Sequence, residues 1–195
     1  MKIAIIGTHS TGKTTIIKML HAQLQRQGID SVVLPEFSRL CPHPINEGST
    51  REAQAWIQEE QIQQEAAHSH QNNVLICDRA TIDNFAYMHV ATQGMGIRHY
   101  EARAVAHMQS YDAVFKTYKL PIPAIEDGIR TINDDFRDKI DNWIQYFLDK
   151  HSIPYYLLPQ TIDYVTHIAF IKEILSQIKT RDASVINRFA QTIAR

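Results

Sequence analysis

Unbroken apolar blocks alternate along the chain with stretches of helical periodicity. Ile3, Ala4, Ile5 and Ile6 form one continuous block, the pattern of a strand over 1–6 that is covered on both faces. A polar loop occupies 7–12, after which Ile16, Ile17, Leu20 and Leu24 recur at helical spacing and Gly28 supplies a C-terminal stop. Blocks of the same continuous kind recur at 32–34, 74–77, 113–115 and 155–158, with segments between them long enough for helical crossovers. Five strands are therefore expected.

Residues 50–70 are rich in Gln, Glu and Ala and suit a long, mostly solvated helix with Trp56 and Ile62 as anchors. Phe136, Ile140, Trp143, Ile144 and Phe147 repeat at helical spacing, as do Tyr164, Ile168, Ile171, Leu175 and Ile178, and then Val185, Ile186, Phe189 and Ile193. Parallel strands joined by right-handed helical crossovers make a three-layer α/β/α sandwich, with its ligand site at the carboxyl ends of the strands. There is no internal repeat or interdomain linker, and the Pro-bearing stretch 120–129 is the candidate mobile loop. A length of 195 residues fits one domain spanning 1–195.

Charge narrows the partners. Twenty Lys and Arg against 21 Asp and Glu leave a net charge of −1, so no global basic field exists to hold nucleic acid or an anionic membrane. Two cysteines, Cys41 and Cys77, make no disulfide framework and fit a reducing cytoplasm. The apolar runs fall well short of the roughly 18–20 residues of a membrane span, and neither a signal peptide nor a membrane segment is expected.

The strongest chemical signal is GTHSTGKT at 7–14, a complete match to G-x-x-x-x-G-K-[ST] between a strand and a helix. Backbone N–H groups in such a loop turn inward around phosphate oxygens, and Gly7 and Gly12 permit the tight turn and close approach. Lys13 is expected to bridge the β- and γ-phosphates and Thr14 to ligate magnesium, while the helix N-terminus favours the anion. Gly7, His9, Ser10, Thr11, Gly12, Lys13, Thr14 and Thr15 make up the expected nucleotide-binding set, with ATP and Mg2+ as ligands. His9 also fits a variable loop position that merely tolerates a histidine.

Asp78 and Arg79 stand at the end of the third apolar block. Asp78 there can hold magnesium through its water shell, and Arg79 adds positive charge near the phosphates; a local Asp–Arg ion pair at a helix N-terminus is the plainer alternative. Glu36 follows Pro35 at the end of the second strand, with Arg39 three residues on. Glu36 can accept a proton from an acceptor hydroxyl, and Arg39 can pair with an acceptor phosphate, although a first-turn salt bridge fits too. Arg130, in EDGIR at 126–130, and Arg137 suit a lid around 120–150 that closes an arginine over the migrating phosphoryl group; for Arg137 an ordinary solvated helix face fits equally. His68 and His70 are two apart and do not face each other on a helix, which speaks against a structural metal site.

Taken together, GTHSTGKT, PEFSR at 35–39, ICDRATID at 76–83 and EDGIR resemble the P-loop nucleoside and nucleotide kinases, especially a small AAA-domain group similar to the ribosylnicotinamide kinase domain. That resemblance implies a sheet in the order 2-3-1-4-5, ATP with magnesium as donor, a small acceptor near Glu36 and Arg79, and Arg130 or Arg137 in the lid. In related ATPases a Glu often follows the strand-end Asp, and Arg79 in its place favours transfer over hydrolysis. TYKL at 117–120 lacks the Asp of a guanine-reading motif, which favours ATP. The reading that follows is phosphoryl transfer to a nucleoside or nucleotide acceptor. The alternatives are a regulatory ATPase switch acting on a protein partner and a structural module with a relict loop.

Overall fold

The computed structural model describes residues 1–68, 74–120 and 133–193, the side chains of 181–193 excepted. The strands are β1 (Lys2–Ile6), β2 (Ser31–Leu34), β3 (Val74–Asp78), β4 (Ala113–Lys116) and β5 (Tyr156–Leu157). The helices are α1 (Lys13–Arg26), α2 (Arg51–His68), α3 (Thr81–Thr92), α4 (Arg98–Met108), α5 (Asp134–Lys150) and α6 (Tyr164–Ile193). All five strands expected from the apolar blocks are present. They pair in parallel in the order β2-β3-β1-β4-β5, which places β1 at the centre with Ile3 opposite both Ile76 and Ala113.

Side chains alternate across a strand, so the block at 3–6 feeds two cores. Ala4 and Ile6 face Cys77, Val114 and the α3–α5 side of the sheet, whereas Ile3 and Ile5 face Ile76, Phe115 and the α1–α6 side. Each of these four β1 side chains is wholly buried. Helix α5 starts on an Asn133 cap whose side chain accepts from Phe136 N–H at 3.1 Å, and Asp134 and Asp135 favour the positive helix end. Its inner face is the predicted Ile140, Ile144 and Phe147 stripe.

Two differences from the sequence reading have physical causes. Helix α3 left no amphipathic signature because it is buried nearly all round, Thr81, Asp83 and Asn84 included, so no polar face reveals the period. Helix α2 is not a mostly solvated helix: Gln54, Gln58, Gln61 and Glu65 lie on its buried face beside Ile57, while Trp56 and Ile62 are only half-buried. The two periodic stretches after Tyr164 belong to one helix, α6. The expected lid overlaps α5, whose inner face is core; residues 121–132 of that region, with Arg130 and all of the expected mobile loop but Leu120, lie outside the described residues, and so does His70.

Candidate active site

Three backbone positions with positive φ curl the loop between β1 and α1: Gly7 at 135°, Ser10 at 57° and Gly12 at 85°. A Cβ at Gly7 would stand 2.3 Å from Thr117 Oγ1, and one at Gly12 would stand 2.9 Å from the Tyr164 ring. Both glycines are therefore fixed by close approach as well as by conformation. Thr117 follows β4 and ties the loop to the sheet, with its hydroxyl 2.7 Å from Thr11 Oγ1 and donating to Ile6 O at 3.1 Å. Nothing in the sequence pattern marks Thr117; only the glycine with no room for a Cβ reveals it.

Lys13 is buried and donates to Thr8 O within the loop at 2.6 Å. Burial pushes its ammonium down to about 7, with the neighbouring Arg79 cation adding to the effect. Thr14 Oγ1 donates to Asp78 Oδ2 at 2.8 Å, joining the start of α1 to the end of β3. The other Asp78 oxygen, Oδ1, is buried without a hydrogen-bond partner among the described residues. A hydroxyl and an under-satisfied carboxylate are hard oxygen donors, and they fit magnesium, which takes few protein ligands and keeps its waters. Thr15 is exposed in the first turn of α1, while His9 is buried.

Arg79 is the hub of the adjoining cavity. Its φ of 88° is left-handed, a conformation costing a non-glycine residue about 1–3 kcal/mol, so its surroundings must hold it there. Its guanidinium donates to Glu36 Oε1 through Nε at 2.7 Å, to Gly7 O at 3.2 Å and to Tyr87 Oη at 3.3 Å, and it pairs with Asp83 at 3.4 Å. Burial opposes that charge, but Glu36, Tyr87 and Asp83 more than offset it, and the Arg79 pKa lies well above its ordinary value. Burial lifts the Asp83 carboxyl to about 6 despite Arg79 and the Ala80 N–H, which donates to Asp83 Oδ1 at 2.7 Å. Arg39, at the rim, reaches Glu36 Oε2 at 3.4 Å.

Tyr87 Oη also shares a 3.0 Å hydrogen bond with His9 Nδ1, so His9 joins the loop to this cavity and is no bystander in a permissive position. The walls are His9, Glu36, Arg39, Gln54, Asn84 and Tyr87, among others, with Asn84 Nδ2 buried and unpartnered among the described residues. The free volume of about 20 Å³ has room for about one water. Arg137 is buried rather than solvated: it donates to His9 O and Ser10 O, each at 3.3 Å, and pairs with Asp134 at 2.7 Å. Tyr87 and Asn84 escaped the sequence reading because both look like ordinary α3 core positions.

A parallel sheet in the order 2-3-1-4-5, with a glycine–lysine loop joining its central strand to the first helix, defines a P-loop fold. The chain belongs to the AAA domain family, whose model matches residues 2–164. Among solved structures it is similar to deoxyadenosine kinase from M. mycoides with the products dCMP and a flexible dCDP bound, at TM-score 0.60 and 15% identity over 91% of this chain and 100% of that one. The same enzyme with bound dATP matches at TM-score 0.60 and 17% identity, over 90% of this chain and 99% of that one. At such identity the likeness is one of fold. Comparison with curated proteins gives no significant match.

Proposed function

We propose that the chain is a single-domain cytoplasmic kinase that transfers the γ-phosphoryl group of ATP to a hydroxyl of a small acceptor, a nucleoside or nucleotide. The observation that carries this reading is the buried Glu36–Arg79 pair, which lines a cavity beside the phosphate loop. A carboxylate at the cavity wall can orient the acceptor hydroxyl and take its proton, and a guanidinium bonded to Gly7 O stands where charge on the migrating group needs neutralising. The amides of Gln54 and Asn84 in the same cavity offer the donors and acceptors that a nucleobase edge requires.

The loop from Gly7 to Thr15 is assigned to the donor phosphates. Lys13 leaves Thr8 O to meet phosphate oxygens, and Arg137 holds the loop's shape through its bonds to His9 O and Ser10 O. Thr14 and Asp78 would hold magnesium, which when bound neutralises charge on the β- and γ-phosphoryl oxygens. In this scheme Arg39, at the cavity rim, contacts the acceptor, and Arg130 keeps the lid role assigned to it from the sequence. Catalysis of this kind is positional and electrostatic.

ATP consumption by the purified protein with magnesium, alone and with a panel of nucleosides, nucleoside monophosphates and nicotinamide riboside, tests the reading. Stimulation by one compound, with its phosphorylated form seen by mass spectrometry, is the expected result. Bound ATP that no compound in the panel causes to turn over refutes acceptor phosphorylation in favour of a nucleotide switch.

A further inference from the structure

Two of the polar side chains on the buried face of α2 form a chain of hydrogen bonds that ends on the backbone of Arg79. Glu65 is wholly buried near Lys2, at the start of β1. Its carboxylate accepts from Lys2 Nζ at 2.7 Å, from Tyr111 Oη at 2.5 Å and from Gln61 Nε2 at 2.5 Å, and it pairs with His107 Nε2 at 2.8 Å. Gln61 Nε2 also stands 3.4 Å from the Arg79 carbonyl oxygen. Both neighbours of that nitrogen are acceptors, so the amide has one permitted orientation, with a hydrogen for each.

The consequence is local to one peptide plane. The Arg79 carbonyl is met by Gln61, and the N–H of the same plane, on Ala80, by Asp83 Oδ1. A left-handed arginine persists only where its surroundings over-determine it, and this plane is restrained at both of its polar atoms. Rotating it would swing the guanidinium away from Glu36 and Gly7 O.

We propose that Gln61 is a positioning residue of the phosphoryl-transfer site: oriented by Glu65, its amide sets the Arg79–Ala80 plane and thereby the reach of the Arg79 guanidinium. The proposal rests on the reading of Arg79 as a group that meets the migrating phosphoryl. Gln61 touches no substrate in this scheme and acts through Arg79.

Gln61→Leu keeps the side-chain volume and removes both donor hydrogens, and Gln61→Met is the second variant should the first fold poorly. With ATP, magnesium and the stimulating acceptor, either lowers kcat about 10- to 100-fold, since a misplacement near 1 Å carries that penalty, while KM for ATP stays within about threefold. Gln63→Leu, on the exposed face of the same helix, changes neither. In an Arg79→Lys background Gln61→Leu adds less than about threefold, because a residue that acts through Arg79 has nothing left to position. A crystal structure of the Gln61 variant shows the guanidinium displaced from Glu36. Losses that multiply in the double variant overturn the proposal, as do a full kcat in the Gln61 variant or an Arg79–Glu36 contact unchanged in its crystal structure. Undiminished kcat in Arg79→Lys overturns the reading of Arg79 itself, and the crystal structure reports on the positioning of Arg79 whatever the activity.

Discussion

Gly7→Ala is the smallest change that tests how the phosphate loop is held. The added methyl would stand 2.3 Å from Thr117 Oγ1, while Thr117 Cβ and O remain in ordinary contact at 3.6 and 3.5 Å. The hydroxyl can retreat only by rotating away from Ile6 O and Thr11 Oγ1, and two such bonds are worth about 1–3 kcal/mol together. Holding alanine at a φ of 135° costs about 1–3 kcal/mol more. The sum is roughly 2–6 kcal/mol, a large share of the ~5–15 kcal/mol that stabilises a typical domain. Reversible urea unfolding reads this as a midpoint lowered by about 1–3 M for a slope near 2 kcal/mol/M. The steric part disappears when the hydroxyl is removed, so Gly7→Ala with Thr117→Ala loses less than the sum of the single changes, by about 1–3 kcal/mol. Strict additivity, or a Gly7→Ala midpoint within error of the parent protein, refutes the contact reasoning.

Three further outcomes follow from the charges. The Lys13 ammonium has its pKa near 7 when folded against about 10.4 when unfolded, so the unfolded chain binds the extra proton between those values and the ligand-free protein gains stability from this group as pH rises through that window. Phosphate restores the charge, so ATP binding at pH 8 takes up most of a proton; calorimetry in buffers of different ionisation enthalpy detects it, and buffer-independent heats refute it. Asp78→Asn replaces the carboxylate proposed to hold magnesium with a neutral amide and is expected to cut magnesium-dependent turnover by at least about 100-fold while leaving the urea midpoint within about 0.5 M, a split that equal loss of both would contradict. Although burial raises it, hydrogen bonds from His107, Lys2, Tyr111 and Gln61 pull the Glu65 carboxyl down to about 2, below its unfolded value near 4.3. Its stabilisation, about 3 kcal/mol, is therefore complete above pH 5 and lost as pH falls toward 2, and Glu65→Gln flattens that acid limb of the unfolding profile.

Where the chemistry depends on a contiguous run, the sequence was legible. The block at 3–6, the loop at 7–14 and the α5 stripe each have a period or spacing that one local rule explains, and the structure places them accordingly. Glu36 and Arg79 lie 43 residues apart, yet each stands within two residues of a strand's end, and a parallel sheet brings strand ends to one edge. Thr117, Tyr87, Asn84 and Gln61 were not legible because their roles exist only in contacts between elements. Gln61 belongs to a helix that composition alone made look solvated; four buried polar side chains at helical spacing mimic a surface. For Arg137 the sequence left a solvated helix face open beside the lid reading, because the His9 and Ser10 carbonyls that its guanidinium meets belong to a loop distant in the chain.

The central place of β1 has a consequence for the chain as it is being made. Its hydrogen-bonding partners are β3 and β4, so when β1 leaves the ribosome neither of its sheet neighbours exists until residues 74–78 and then 113–116 have followed. Thr117, which closes the phosphate loop against Gly7, comes later still. At about 5–20 residues per second, the stretch between Gly7 and Thr117 takes roughly 5–20 s to synthesise. Throughout that interval the nascent chain carries a nucleotide-binding sequence without a nucleotide-binding shape, and an apolar Ile3–Ile6 segment that chaperones are free to occupy.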